Sequence, residues 1–197
     1  NETIEILVEE EADIIEIEFE LPGPSVLEEN ITNGKRISKS SIIFEVIGTI
    51  DELNSHLGLI KASFNDFTNK PELKKQQDFL QKTQKQLFVL GGFVAEADIN
   101  LSSEFLTELE KKSIYLQEIM DEDWHARFVL PGGHLVAARL DIARSVCRRL
   151  ERKCIDYIEE KDLVDPLLLK TINRLSDYLY VLRCFVNEEA GVKESYV

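Results

Sequence analysis

Between residues 43 and 186 apolar side chains recur at intervals of three and four, the period of a helix that turns one face inward. Ile43, Ile47, Ile50, Asn54, Leu57 and Phe64 mark a first helix. Leu73, Leu80, Leu87, Gly91 and Val94 mark a second. Pro71 opens it in the first turn, where a missing N–H is tolerated. A third runs from about Ser102 to Met120, with Leu106, Leu109 and Ile119 inward. The turn Pro131-Gly132-Gly133 precedes a fourth, whose inward stripe takes Leu135, Ala138, Ile142, Val146 and Leu150. Asp165 followed by Pro166 reads as the N-cap and first residue of a fifth. There Leu168, Ile172, Leu175, Leu179, Leu182 and Val186 form a continuous seam. Five such helices with short connections predict an all-α fold, a five-helix antiparallel bundle of the ferritin-like up-and-down kind over residues 41–190.

The first forty residues follow a different rule. "IEILVEE" and "DIIEIEFELP" alternate apolar and acidic side chains, the period-2 pattern of a half-exposed strand. "PGP" at 22–24 stops the pattern, and "EENITNGKRISKSS" reads as loop. Residues 1–40 are therefore expected to be an N-terminal extension with short β-like segments, and residues 191–197 a C-terminal tail.

Composition narrows the class. The chain has 197 residues, 44% hydrophobic and 30% charged, the profile of a single soluble domain. No apolar run approaches a membrane span of roughly 20 residues, and no signal peptide is visible. The chain opens at Asn1 rather than Met, which leaves room for a preceding targeting segment. A net charge of −14 lacks the basic footprint of nucleic-acid binding. The three cysteines, Cys147, Cys154 and Cys184, lie in periodic apolar segments without CxxC spacing. They read as reduced core residues in a cytosol-like compartment. His56, His125 and His134 are scattered, with no ligand spacing, so no protein metal site is expected.

Against the acidic background, Arg144, Arg148, Arg149 and Arg152 crowd the fourth helix. Arg144 and Arg148 share a face, and like charges at that spacing repel. Water, a partner carboxylate or a bound anion must offset the repulsion. The bland reading is a solvated surface with an internal Arg148–Glu151 pair. The functional reading is an anion site, helped by free N–H groups at Gly132 and Gly133 where the helix begins. On the fifth helix Asn173, Arg174, Asp177 and Tyr180 read either as a polar rim or as a second wall of that site. Asp51, on the first helix, is a natural countercharge for an arginine of another helix or subunit.

"FEVIGTIDELNSHLG", "QLFVLGG", "FVLPGG", "AARLDIARSVCRRLER" and "INRLSDYLYVL" follow in this order. Together they closely resemble the PduO-type ATP:cob(I)alamin adenosyltransferases, over about residues 35–187. The resemblance implies a homotrimer with active sites between subunits. It implies transfer of the 5′-adenosyl group of ATP to the Co(I) of a reduced corrinoid, with Mg²⁺, giving adenosylcobalamin and triphosphate. It assigns Arg148 and Lys39 to the phosphates, and Arg144 to a pair with Asp51 across the subunit interface. Glu151 would support that cluster, Asn173 would hold the nucleotide, and Phe128 would line the corrinoid pocket and help exclude the lower axial ligand. A corrinoid reductase and a B12-dependent acceptor enzyme are the implied partners, and the compartment is cytoplasmic or, behind a removed transit peptide, mitochondrial. One departure stands out: the Thr-x-x-Gly-Asp-x-Gly-x-Thr loop that wraps ATP in the family has no counterpart in the first forty residues, which contain only Gly23 and Gly34. The alternative reading is a paralogue that binds corrinoid, nucleotide or protein without turnover.

Overall fold

The structure, a computed structural model, describes residues 3–9, 14–20, 28–67, 69–120, 124, 128–163 and 166–197. Five helices dominate: α1 (Ile42–Ala62), α2 (Pro71–Val94), α3 (Ser103–Ile119), α4 (Leu135–Lys161) and α5 (Pro166–Glu189). Ahead of them, β1 (Thr3–Glu9) and β2 (Ile14–Glu20) pair antiparallel, with Ile4 opposite Phe19, Ile6 opposite Ile17 and Val8 opposite Ile15. This register agrees with the alternation in the sequence. The expected stops at Pro22–Pro24, the N-cap at Asp165 and His125 lie outside the described residues.

The segment expected to be plain loop holds a second small hairpin, β3 (Glu28–Asn30) and β4 (Arg36–Ser38). Its strands are three residues long, too short to show a period. Ile31 anchors it by burial in the bundle core, and Thr32 Oγ1 donates to the Ala95 carbonyl at 2.9 Å.

Side-chain bonds fix the helix directions, because partner numbers fall along one helix as they rise along the other. Gln84 donates to the Asn54 carbonyl and Gln77 to that of Lys61, so α1 and α2 are antiparallel. Arg139 meets Ser63, Arg149 meets Glu52 and Lys153 meets Glu45, so α4 also opposes α1. Arg183–Asp141 and Asn173–Glu151 set α5 antiparallel to α4. Lys82–Glu108 and Tyr115–Glu72 do the same for α2 and α3.

The α5 seam is buried throughout, from Leu168 to Val186. Each such leucine contributes about 1.5–3 kcal/mol by leaving water. In α1, Ile43, Ile50, Asn54, Leu57 and Phe64 are buried as the spacing predicts, although Phe64 belongs to a 3₁₀ turn beyond the helix end. Two stripes differ from expectation. In α3 the inner line is Phe105, Leu109, Ser113 and Leu116, while Leu106 is half-buried and Ile119 is exposed. Ser113 occupies a core position and breaks the apolar period. In α4, Leu135 and Ile142 face outward, and the buried line is Val136, Leu140, Ala143, Cys147, Leu150 and Cys154. That helix packs against α1 and α5 together, so its inner arc is set by two neighbours rather than one. All three cysteines are buried and free, and burial pushes the Cys154 thiol up to about 12. Among the described residues no helix is long and apolar enough to cross a membrane.

Candidate active site

α4 begins where Pro131, Gly132 and Gly133 turn the chain. His134 is the N-cap, its Nδ1 accepting from the Val136 N–H at 3.2 Å, and its ring packs 4.7 Å from Phe67. Gly133 has φ +96°, and a Cβ there would stand 2.4 Å from Oδ1 of Asn187, so a side chain is excluded twice over. N–H groups expected to be open to an anion here are engaged within the fold. The Gly132 N–H donates to Asp141 Oδ2 at 3.1 Å, and the His134 N–H donates to Asn187 Oδ1 at 2.9 Å. Side chains of α4 and α5 already occupy the helix start.

About three to four turns further along α4 the situation reverses. Arg144 and Arg148 line a cavity of about 480 Å³ between α4, α5 and the 128–131 segment. Asp177 and Tyr180 of α5 face it, and Phe128 stands at its rim with 87% of its surface exposed. The Arg144 guanidinium lies 5.8 Å from the centre of the Tyr180 ring, a cation–π contact. Burial raises the Tyr180 phenol pKa above its ordinary value, so that ring stays neutral. The carboxylates in the wall are already taken. Asp177 binds Arg174 at 2.5 Å, and Asp141 binds the buried Arg183 at 3.2 Å. Among the described residues Arg144 and Arg148 have no carboxylate of their own, and Arg144 Nε is buried without any hydrogen-bond partner. A buried guanidinium edge left unpaired is costly until an anion or acceptor reaches it.

Glu151 does not pair with Arg148. Its Oε1 accepts from Asn173 Nδ2 at 2.9 Å, and Asn173 Oδ1 in turn accepts from Arg174 at 3.4 Å. The structure thus brings Arg144, Arg148 and Phe128 to one cavity and joins Glu151 to Asn173 beside it. It leaves Lys39 and Asp51 elsewhere in the chain. Lys39 is exposed between β4 and α1, and Asp51 is exposed on α1, bordering a separate pocket of about 150 Å³ with Asn54 and Leu87. Among the described residues no group of three or more His, Cys, Asp and Glu stands ready for a metal.

Four residues of the neighbourhood escaped the sequence reading: Asp141, Arg183, Asn187 and Glu194. Arg183 has no exposed side-chain surface, yet it donates to Asp141, to Glu194 and to the carbonyls of Leu130 (3.0 Å) and Gly132 (3.4 Å). Burial opposes its charge, but the Glu194 hydrogen bond and the Asp141 charge overcome that and hold it more firmly protonated than usual. A signal was available, since Arg183 is the lone charge in "YLYVLRCFVN". A charge amid such a run is buried and must be paired.

A helical bundle with an arginine-walled cleft between two helices has a site suited to an anionic ligand. Known proteins narrow it. The sequence model of the family described as cobalamin adenosyltransferase matches residues 28–186. A corrinoid adenosyltransferase of Bacillus subtilis is 34% identical over 164 residues, covering 81% of each chain. One from Citrobacter freundii is 37% identical over 152 residues, covering 75% of this chain and 82% of the relative. A variant PduO-type ATP:corrinoid adenosyltransferase from Lactobacillus reuteri, solved complexed with cobalamin and ATP, superposes with a TM-score of 0.78 at 24% identity, over 87% of this chain and 94% of that one. The chain belongs to the cobalamin adenosyltransferase family.

Proposed function

We propose that this chain transfers the 5′-adenosyl group of ATP to the Co(I) of a reduced corrinoid. The observation that carries the reading is the pair Arg144 and Arg148, turned into a cleft whose carboxylates are bound to other arginines. A triphosphate supplies the acceptor that Arg148 lacks, and a carboxylate of a neighbouring copy supplies that of Arg144. In the reaction the Co(I) lone pair attacks C5′, the C5′–O bond breaks, and triphosphate leaves with the bonding electrons. Arg148, exposed on the cleft wall, meets the charge that grows on the leaving group. Arg144, steadied over Tyr180, is preorganised beside it. Glu151 fixes the Asn173 amide from behind, so that Asn173 can hold the nucleotide in one orientation. Lys39, away from the cleft of its own chain, would reach the phosphates bound in the cleft of a neighbouring copy. The bare ring of Phe128 offers a flat apolar surface to the corrin and keeps a lower axial ligand and water from the cobalt. The corrinoid carries the difficult chemistry, and the protein positions and desolvates.

Mg²⁺ fits here only together with the nucleotide. The described residues build no cage for it, whereas Mg²⁺ commonly binds through substrate phosphates, waters and one or two carboxylates. Glu151, beside the cleft, is the carboxylate that the resemblance would place in such an ion's shell, and the ion would spread the phosphate charge.

Asp51 and Arg144 support an assembly. Each lacks an ion-pair partner among the described residues of its own chain, and Asp51 is exposed. The outer face of α1 and α4 also carries exposed Leu59 and Ile142. A homotrimer in which Asp51 of one copy meets Arg144 of the next satisfies all of these. A corrinoid reductase must then supply the substrate, and a B12-dependent enzyme must consume the product.

The deciding assay mixes the protein with cob(I)alamin and MgATP and follows loss of the Co(I) spectrum as the alkylcobalamin appears. No product at enzyme equimolar with cobalamin overturns the reading and leaves a non-catalytic paralogue, which the missing N-terminal loop would suit. Light scattering of wild type and Asp51→Asn tests the assembly. A variant that stays trimeric and fully active removes the intersubunit pair.

A further inference from the structure

The segment 128–131 supplies one wall of the cleft, yet little of its own packing holds it: Phe128 and Leu130 are 87% and 52% exposed. Its order comes from residues 194–197. The Leu130 N–H donates to the Ser195 carbonyl at 2.7 Å, the Val197 N–H donates to the Phe128 carbonyl at 3.0 Å, and Val129 bridges antiparallel to Tyr196. Two strands this short do not stay paired by backbone bonds alone. What pins them is a buried node. Arg183 grips Glu194 on one strand and the Leu130 and Gly132 carbonyls on the other, and it anchors both to Asp141 inside α4. Asn187 repeats the link, donating to Glu194 at 2.9 Å and to Gly132 at 3.1 Å. Arg183 itself does not line the cavity; its hydrogen bonds reach it through Asp141 and the loop.

Resting on the adenosyltransferase reading, we propose that Arg183 is a positioning residue: by joining Glu194 to the Leu130–Gly132 backbone it clamps residues 194–197 against the Phe128 segment and so sets the aromatic ring that meets the corrinoid. The nucleotide side of the cleft, built on Arg144 and Arg148 in the middle of α4, does not depend on the clamp. The clamp therefore governs the corrinoid and leaves ATP alone.

Three variants isolate it. Glu194→Ala frees the strand from Arg183, Val197→Pro removes the one N–H bonded to the Phe128 carbonyl, and Glu194→Asp keeps the charge. Steady-state kinetics with cob(I)alamin and MgATP should show Glu194→Ala and Val197→Pro losing about tenfold to a hundredfold in kcat/KM for the corrinoid, the cost of a misplaced contact. KM for ATP should stay within twofold. Glu194→Asp should recover part of the loss. With ATP present, the share of bound cob(II)alamin that lacks its lower axial ligand, read by visible absorption, should fall in the first two variants. Hydrogen–deuterium exchange on the free protein provides an arm that needs no turnover: amides of Leu130 and Val197 should exchange faster in Glu194→Ala. Unchanged exchange overturns the clamp. Faster exchange with corrinoid and ATP constants both unaltered, or altered alike, overturns its role in positioning. A wild type that binds no corrinoid fails the adenosyltransferase reading itself, and the exchange arm still decides whether the clamp exists.

Discussion

Two sets of arginines lie on the facing helices α4 and α5, and they are treated in opposite ways. Arg183 is fully buried and brings its own counterions, with Asp141, Glu194 and two backbone carbonyls around one guanidinium. Arg144 and Arg148 border an open cleft whose acids are engaged elsewhere, and Arg144 keeps a buried N–H with no acceptor. A structural charge is satisfied within the fold, because leaving it unpaired would cost several kcal/mol. A charge kept for a ligand or for a neighbouring copy is left short of partners, and the single chain carries that deficit until one of them arrives. The contrast separates function from scaffold more sharply than the count of arginines on α4 does.

The strongest way to break the comparison is Arg183→Met. It strands Asp141 and Glu194, whose side chains are 10% and 18% exposed, without a cation. Chemical denaturation should show a loss of about 3–5 kcal/mol, and a loss under 1 kcal/mol would mean the node is not structural. Arg148→Ala should do the reverse. Stability should hold within about 0.5 kcal/mol, as for other surface substitutions, while kcat/KM for ATP drops by about 2–4 kcal/mol of transition-state stabilisation. Equal kcat/KM for wild type and variant would return Arg148 to the ranks of solvated side chains. Gly133→Ala sharpens the closed region. The added Cβ meets Asn187 at 2.4 Å at a φ of +96°, and melting should report a cost of about 1–3 kcal/mol.

The comparison also supposes a dry bundle interior beside a wet cleft. Cys154 tests it, since burial lifts its pKa from about 9 to about 12. Above pH 9 the unfolded thiol loses its proton while the folded one keeps it. The unfolded state then binds fewer protons, and stability falls as pH rises through that window, by about 1.4 kcal/mol per unit. Replacing Cys154 by Ala should flatten that slope; an unchanged slope means water reaches the sulfur. The smallest effect belongs to Arg149, a neighbour of Arg148 that has its own carboxylate in Glu52. Both are about half exposed, so Glu52→Gln should change stability by no more than about 1 kcal/mol, with turnover unaltered.

Much of this was legible from residues alone. The α5 seam from Leu168 to Val186 is regular enough to fix both the helix and its inner face. The motifs around Asp51, Phe128, Arg148 and Asn173 carry the family. The inner faces of α3 and α4 were read correctly at Leu109, Val146 and Leu150 and missed at Leu106, Ile119, Leu135 and Ile142. Ser113 interrupts the apolar period of the first, and two packing partners rather than one define the second. The paired state of the helix start at Gly132 was also hidden, because Asp141 lies nine residues and Asn187 more than fifty residues away.

The sequence by itself determined the number of helices, their approximate limits, the buried seam of α5 and the motifs that place the chain in its family. These follow from period, local capping chemistry and short motifs, all of which act over a few neighbouring positions. Only the tertiary structure decided which arginines are spent and which are free, and that residues 194–197 hold the Phe128 segment. Charge pairing depends on distance in space, and a carboxylate far along the chain can sit within hydrogen-bond reach while one three residues away turns to another partner.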